Sequence, residues 1–169
     1  CALPISPTNI SLSSTSIPEN AGANATVGTL STSDPDAGNT FTYSLVSGTG
    51  DTDNAAFNIS GNALRATNSF DFETKSSYSV RVRSTDQGGP STEKVFTISV
   101  TDVNEAPTNI SLSSTSIPEN AGANATVGTL STSDPDAGNT FTYSLVSGTG
   151  DTDNAAFNID RKSTRLNSS

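Results

Sequence analysis

The stretch PTNISLSSTSIPENAGANATVGTLSTSDPDAGNTFTYSLVSGTGDTDNAAFNI, Pro7 to Ile59, recurs without a change as Pro107 to Ile159, an offset of 100. A period of that length is too long for a helical solenoid or a propeller blade and fits one independently folding β-sandwich. The chain therefore reads as part of a tandem array, and function is sought where one unit meets the next.

The ends interrupt the repeat. The tail Asp160-Arg161-Lys162-Ser163-Thr164-Arg165-Leu166-Asn167-Ser168-Ser169 stands where the repeat requires Ser-Gly-Asn-Ala-Leu-Arg, as in Ser60 to Arg65. It resembles the conceptual translation of a common sequencing adapter. The reverse complement of the same adapter reads Cys-Ala-Leu-Pro-Ile, which is Cys1 to Ile5. Residues 1–6 and 160–169 are accordingly expected to be adapter-derived and to have no defined place in the fold. Residues 7–106 are expected to form a complete repeat and residues 107–159 a truncated one, poorly stable because half a sandwich leaves its core uncovered.

Setting those ends aside changes the composition. The single cysteine, Cys1, drops out, and the seventeen acidic and eight basic residues become sixteen and five, a net charge of −11. The chain has no His, Met or Trp. So acidic a surface argues against nucleic acid and anionic membranes and for cations. Without Cys no disulfide forms. No apolar stretch is long enough for a transmembrane helix.

Ser, Thr, Asn and Gly separate short alternating runs, the pattern of an all-β chain. Strands are expected at Asn9–Ser13, Ala25–Thr32, Phe41–Val46, Phe57–Ser60, Ala63–Thr67, Ser77–Thr85 and Lys94–Val103. In the sixth, Tyr78, Val80 and Val82 share one face and Arg81 and Arg83 the other; Phe96, Ile98 and Val100 alternate in the seventh. Seven short strands in about 100 residues suit a Greek-key, Ig-like β-sandwich. The second unit would hold the first three strands and the start of a fourth.

Five acidic motifs punctuate the first unit: Pro18-Glu19-Asn20, Asp34-Pro35-Asp36-Ala37-Gly38-Asn39, Asp71-Phe72-Glu73, Asp86-Gln87-Gly88-Gly89-Pro90 and Asp102-Val103-Asn104-Glu105-Ala106-Pro107. In this order and at this length they resemble the cadherin repeat family, in the manner of the tandem-repeat adhesins of bacteria. The resemblance implies a seven-stranded sandwich with calcium bound between successive repeats. Calcium takes six to eight hard oxygen ligands, and a sandwich gathers distant loops at its two ends. By the same resemblance, the ligands at the inter-repeat joint are Glu19, Asp71, Glu73, Asp102, Asn104 and Glu105 with Asp134, Asp136 and Asn139. Asp34, Asp36, Asn39 and Asp86 would face a preceding repeat, and Glu119 a following one. The family linker commonly reads Asp-x-Asn-Asp-Asn-x-Pro; here it is one residue shorter and lacks the second asparagine, which leaves the number of ions open.

Each motif also has an ordinary explanation. Pro35 and Gly38 alone would make Asp34–Asn39 a turn, Asp71-Phe72-Glu73 could be a solvated loop with Phe72 tucked inward, and Glu19 could be plain surface. Gly48-Thr49-Gly50-Asp51-Thr52-Asp53-Asn54 looks like a calcium turn, but no nonapeptide repeat follows, and it reads as a hairpin loop. The sequons at Asn9, Asn24 and Asn58 mean little in so Ser/Thr/Asn-rich a chain. Without His or a genuine Cys the usual base–nucleophile pairs are absent, and the paired acids lie in loops without an aromatic cleft, so no enzyme is expected.

The expected function is that of a calcium-rigidified repeat in a large extracellular or cell-surface adhesion protein. Its partners would be adjacent repeats of the same chain and, through other domains, a cell-surface protein or glycan. Two readings compete with it: a passive spacer inside a large secreted enzyme, and direct homophilic adhesion. Flanking sequence separates them, a hydrolase domain favouring the spacer and a secretion signal with a binding head favouring the adhesin.

Overall fold

A computed structural model describes residues 5–160 and 164–168. Cys1 to Pro4, Arg161 to Ser163 and Ser169 lie outside the described residues. The chain divides into two compact units, Cys1–Val103 and Asn104–Ser169.

The first unit is all-β. Its strands are β1 (Asn9–Leu12), β2 (Ser16–Pro18), β3 (Thr26–Ser33), β4 (Phe41–Leu45), β5 (Phe57–Ser60), β6 (Ala63–Ala66), β7 (Ser77–Asp86) and β8 (Ser91–Thr101), with one 3₁₀ turn at Asn54–Ala56. They form two four-stranded sheets, ordered β1-β3-β6-β5 and β2-β8-β7-β4. All seven expected strands are present. The addition is β2, which pairs parallel with β8 from Ser16 opposite Ser99 to Pro18 opposite Thr101. β1 and β2 are one edge segment that leaves the first sheet and joins the second.

That crossing has a steric requirement. Ser14 turns the chain, its Oγ accepting from the Ser16 N–H at 3.2 Å. Beneath it lies Gly28, in a β3 whose register shifts between Thr26 and Gly28. A Cβ on Gly28 would sit 2.7 Å from the Ser14 carbonyl oxygen and 2.8 Å from its nitrogen. Both obstacles are backbone, so neither gives way easily. Gly28→Ala is therefore expected to destabilise the unit by about 2 kcal/mol, in the range for overpacking, read as a lowered melting temperature; an unchanged melt would contradict the crossing.

Alternation along β7 and β8 builds the core. Val80 lies opposite Phe96 and Tyr78 opposite Ile98, and Val80, Val82, Ile98 and Val100 are buried against Ile10, Leu30 and Leu64 of the other sheet. Phe57, Phe70 and Tyr78 stack into a cluster with ring centroids 4.5 to 5.9 Å apart.

The second unit repeats only what its partners allow. It has β9 (Asn109–Leu112), β10 (Thr126–Ser133), a 3₁₀ turn at Asn154–Ala156, β11 (Phe157–Asp160) and β12 (Arg165–Ser168), in one sheet ordered β11-β12-β10-β9. The expected third strand, Phe141–Leu145, does not form. In the first unit its counterpart β4 pairs with β7 from Phe41 opposite Asp86 to Leu45 opposite Val82, and the second unit has no β7. The counterpart of β2 is missing likewise for want of β8. The fourth strand, by contrast, is complete.

A second correction concerns the tail. Asp160 closes β11, and Arg165–Ser168 form a strand between β10 and β11, with Leu166 opposite Ile159 and Gly128. Leu64 holds the same place in β6, opposite Ile59 and Gly28. The expectation that the tail has no defined place therefore fails for residues 164–168. Ladder hydrogen bonds are made by backbone, so a segment of different sequence with one apolar residue at the right pitch takes the same strand position.

Candidate metal centre

β2 runs parallel beside β8, so Glu19 and Asp102 leave their sheet at the same end. The Glu19 N–H donates to the Thr101 carbonyl at 3.0 Å. Its side chain turns inward and is only 2% exposed. One carboxylate oxygen accepts from the Phe72 N–H at 2.7 Å and the other from the Val103 N–H at 2.8 Å. Phe72 packs against the core, which anchors the Asp71–Glu73 loop over Glu19. The result is that Glu19, Glu73 and Asp102, from three separate places in the sequence, each present a carboxylate oxygen within 4.8 Å of the others.

Asp71 also builds the loop. Its two carboxylate oxygens accept from the N–H and the hydroxyl of Thr74, each at 2.8 Å. These bonds, the backbone one foremost, hold its carboxyl below the ordinary value of 3.8. Asp71 thus closes the turn that carries Glu73. Thr74→Val removes the hydroxyl donor and is expected to move the Asp71 pKa upward, measurable by NMR titration of the carboxyl carbon. A carboxyl with a depressed pKa stabilises the fold above its unfolded value, and the contribution drains as pH falls below that value. The wild-type turn is therefore expected to weaken below about pH 4, and the variant to respond less.

β7 and β8 are antiparallel, so Asp86, at the end of β7, lies at the opposite end of the unit from Asp102. Asp34, Asp36 and Asn39 join it there. The Asp36 N–H donates to Asp34 Oδ1 at 2.7 Å, and Asp36 Oδ2 accepts from the Ile5 N–H at 2.7 Å. Asp86 is buried and accepts from the Gly88 N–H at 2.6 Å. Gln87 Nε2 donates to Asn39 Oδ1 at 3.3 Å, tying the two loops together. Asp34 Oδ2 is buried with no hydrogen-bond partner.

The second unit builds the same loop from the same residues. The Asp136 N–H donates to Asp134 Oδ1 at 2.9 Å and Asn139 Nδ2 to the same oxygen at 3.1 Å. Asp136 Oδ2 accepts from the Glu105 N–H at 2.7 Å, the counterpart of the Ile5 contact; a backbone donor survives the exchange of one side chain for another. Asp136 is 9% exposed, and its Oδ1 is buried without a partner. Asn104 Nδ2 donates to the Glu105 carbonyl at 2.9 Å. Glu119 is exposed, unlike Glu19, because the strand pair that draws Glu19 inward does not form here.

The sites of unit 1 and of unit 2 thus offer oxygen donors alone, and two of their buried carboxylate oxygens, on Asp34 and Asp136, have no hydrogen-bond partner. This donor set fits a hard divalent cation such as calcium and lacks the nitrogen and sulfur ligands of a zinc site. The Gly48–Asn54 loop is built otherwise. Asp51 Oδ2 accepts from the Gly48 N–H at 2.9 Å, and Asp53 accepts from the Ser79 N–H at 2.8 Å and pairs with Lys75. Its carboxylates serve the loop itself. Among the described residues no helix is long and apolar enough to cross a membrane.

The cadherin domain family matches residues 13–101. Protocadherin Fat 4 of Mus musculus is 33% identical over 137 residues, which cover 78% of this chain and 3% of that protein. Protocadherin gamma-A10 of Pan troglodytes is 44% identical over 71 residues, covering 40% of this chain and 8% of that one. The chain thus spans a small fraction of the length of these relatives. Among solved structures, mouse cadherin-23 EC22-24 is similar at 27% identity and a TM-score of 0.61, over 96% of this chain and 53% of that one. Human protocadherin-24 EC1-2 is similar in fold, with a TM-score of 0.68 at 21% identity over 97% of this chain and 78% of that one.

Proposed function

This chain belongs to the cadherin family, and we propose on that premise that it is a calcium-binding repeat of an extracellular or cell-surface adhesion protein. The observation that carries the reading is the gathering of Glu19, Glu73 and Asp102 within 4.8 Å at one end of the first unit. Three carboxylates so close repel one another, by about 3 kcal/mol for a pair 5 Å apart at an effective dielectric near 20, less where solvent reaches them. A divalent cation bound among them would balance that charge.

The proposed ligands at the joint are Glu19, Asp71, Glu73 and Asp102 from one repeat and Asn104, Glu105, Asp134, Asp136 and Asn139 from the linker and the next repeat. Asp34, Asp36, Asn39 and Asp86 would serve a preceding joint and Glu119 a following one. Calcium, when bound, supplies the positive charge and the six to eight oxygen bonds that link both sets. Glu19 orients the Asp71–Glu73 loop through the Phe72 N–H, and Asp71 fixes its turn through Thr74. The role is mechanical, a stiffening of successive repeats, with no catalysis.

The ends belong to the same proposal. Residues 1–6 and 160–169 are adapter translation, residues 7–106 a whole repeat and residues 107–159 the start of another. The native gene is expected to read Ser-Gly-Asn-Ala-Leu-Arg after Ile159; a gene continuing Asp-Arg-Lys contradicts this.

The test uses a protein with two whole repeats, made by adding the sequence of Ser60–Val103 after Ile159. Extracellular calcium modules bind at about 10⁻⁴ to 10⁻³ M. At a hundredfold excess over Kd, calcium is expected to stabilise by about 2.7 kcal/mol, seen as a raised melting temperature. Glu73→Ala and Asp136→Ala should each blunt the rise, and Asp51→Ala should leave it intact. Equal melts in chelator and calcium would reduce the repeat to a passive spacer.

A further inference from the structure

We infer that Asn24, in the turn between β2 and β3, is the attachment point of an N-linked glycan. Asn-x-Ser/Thr tripeptides begin at Asn9, Asn24 and Asn58 of the first unit. Composition does not choose among them; the state of each amide nitrogen does. Attachment replaces one hydrogen on Nδ2 and leaves Oδ1 an acceptor, so the fold tolerates a glycan where Nδ2 meets solvent and is engaged nowhere else.

The hydrogen-bond network fixes the direction of these amides. The Arg65 guanidinium only donates, and its Nε lies 3.1 Å from Asn58 Oδ1. The other end of the Asn58 amide is therefore Nδ2, which donates to the Ala66 carbonyl at 3.4 Å and to Asn24 Oδ1 at 3.3 Å. Asn24 thus presents its oxygen to Asn58 and turns Nδ2 away. Asn24 is exposed, and its Nδ2 has no hydrogen-bond partner among the described residues. Asn58 is half-buried in β5 with both ends of its amide engaged. The Asn9 amide is spanned likewise, its Oδ1 accepting from Lys94 Nζ at 2.9 Å and its Nδ2 donating to Ser11 Oγ at 3.5 Å.

The backbone singles out Asn24 as well. Its φ of +55 to +65° lies in the left-handed region, which asparagine enters more readily than most residues. Its N–H is fixed to the Ala66 carbonyl at 2.8 Å, and the Ala25 N–H donates to the Gly22 carbonyl at 3.3 Å. The second unit builds the same turn: Asn124 has a φ of 60°, the Ala125 N–H donates to the Gly122 carbonyl at 3.3 Å, and Asn124 Oδ1 accepts from Asn158 Nδ2 at 3.2 Å. The turn is a local property of the sequence, and a substituent on its free nitrogen leaves its bonds in place.

The donor class is an oligosaccharide carried on a lipid pyrophosphate. Asn24 Nδ2 attacks C1 of the first sugar; the N–C1 bond forms as the C1–O bond to the pyrophosphate breaks. The lipid pyrophosphate leaves with the electron pair, and one Nδ2 proton passes to the transferase's base. Transfer meets the chain before it folds, so the structure decides which products fold. A glycan on Asn24 costs no hydrogen bond, whereas on Asn58 it removes one of the two that Nδ2 donates.

The experiment secretes the full chain from a eukaryotic cell culture and releases the glycans with peptide N-glycosidase in heavy-oxygen water, which marks each former attachment site as a labelled aspartate. Site-resolved mass spectrometry is expected to find the label at Asn24 in most molecules and Asn58 unlabelled. Thr26→Ala, at an exposed position of β3, breaks the tripeptide but keeps Asn24 and its hydrogen bonds; it should abolish the label at Asn24 while the protein is still secreted. Secreted, unsubstituted protein without label at Asn24, or with as much label at Asn58 as at Asn24, overturns the inference. The host imposes the secretory route, so such a failure leaves the calcium-binding reading standing.

Discussion

Glu19→Ala is expected to lower the melting temperature of the first unit by about 15 °C, even in chelator, where no metal ligand is at stake. The Phe72 and Val103 N–H groups both donate to this carboxylate, at 2.7 and 2.8 Å. Truncation leaves two donors without their acceptor beneath a packed loop, at about 1–3 kcal/mol each, and a loss of about 3 kcal/mol moves the midpoint of a 100-residue domain by roughly that many degrees. Glu73→Gln should behave oppositely. It removes one charge from the three-carboxylate cluster, so it should raise stability in chelator and reduce the gain from calcium. The pair of variants separates the carboxylate that builds the site from one that the site holds at an electrostatic cost. Equal small losses for both, in either condition, would mean that the cluster is only surface.

The second unit is expected to show no cooperative melt of its own, and to acquire one when the sequence of Ser60–Val103 follows Ile159. Its Ile110 stays in water, where the identical Ile10 is fully buried, a difference of about 1.5–3 kcal/mol for that side chain alone. Amide exchange followed by NMR should find Asn9–Leu12 protected and Asn109–Leu112 nearly unprotected. Equal protection of the two copies would contradict the account, because it would make the β7–β8 cover dispensable.

The two identical copies show what the sequence specifies and where that stops. Alternation alone places Tyr78, Val80 and Val82 inward in β7 and Phe96, Ile98 and Val100 inward in β8, because period-two burial is a local property. The strand at Ser16–Pro18 is less legible: three residues with one apolar side chain, fixed by a parallel neighbour more than eighty positions away. The clearest cases are residues that differ between copies with the same local sequence. Phe41–Leu45 is a strand and Phe141–Leu145 is not; Glu19 is buried and Glu119 exposed. Nothing within either stretch encodes the difference, since it lies in whether β7 and β8 are there to pair. The acidic motifs are legible as a set. Asp71 as the anchor of its turn through Thr74 is not, since its spacing from Glu73 says nothing about which carboxylate also fastens the loop.

The most direct test of the central claim is small-angle scattering from the protein with two whole repeats, in chelator and in millimolar calcium. A broader distribution of shapes is expected without calcium and a single extended shape, with a larger maximum dimension, when calcium is present; Asp136→Ala should keep the chelator profile in both. Superimposable profiles for the unsubstituted protein in the two conditions would contradict it.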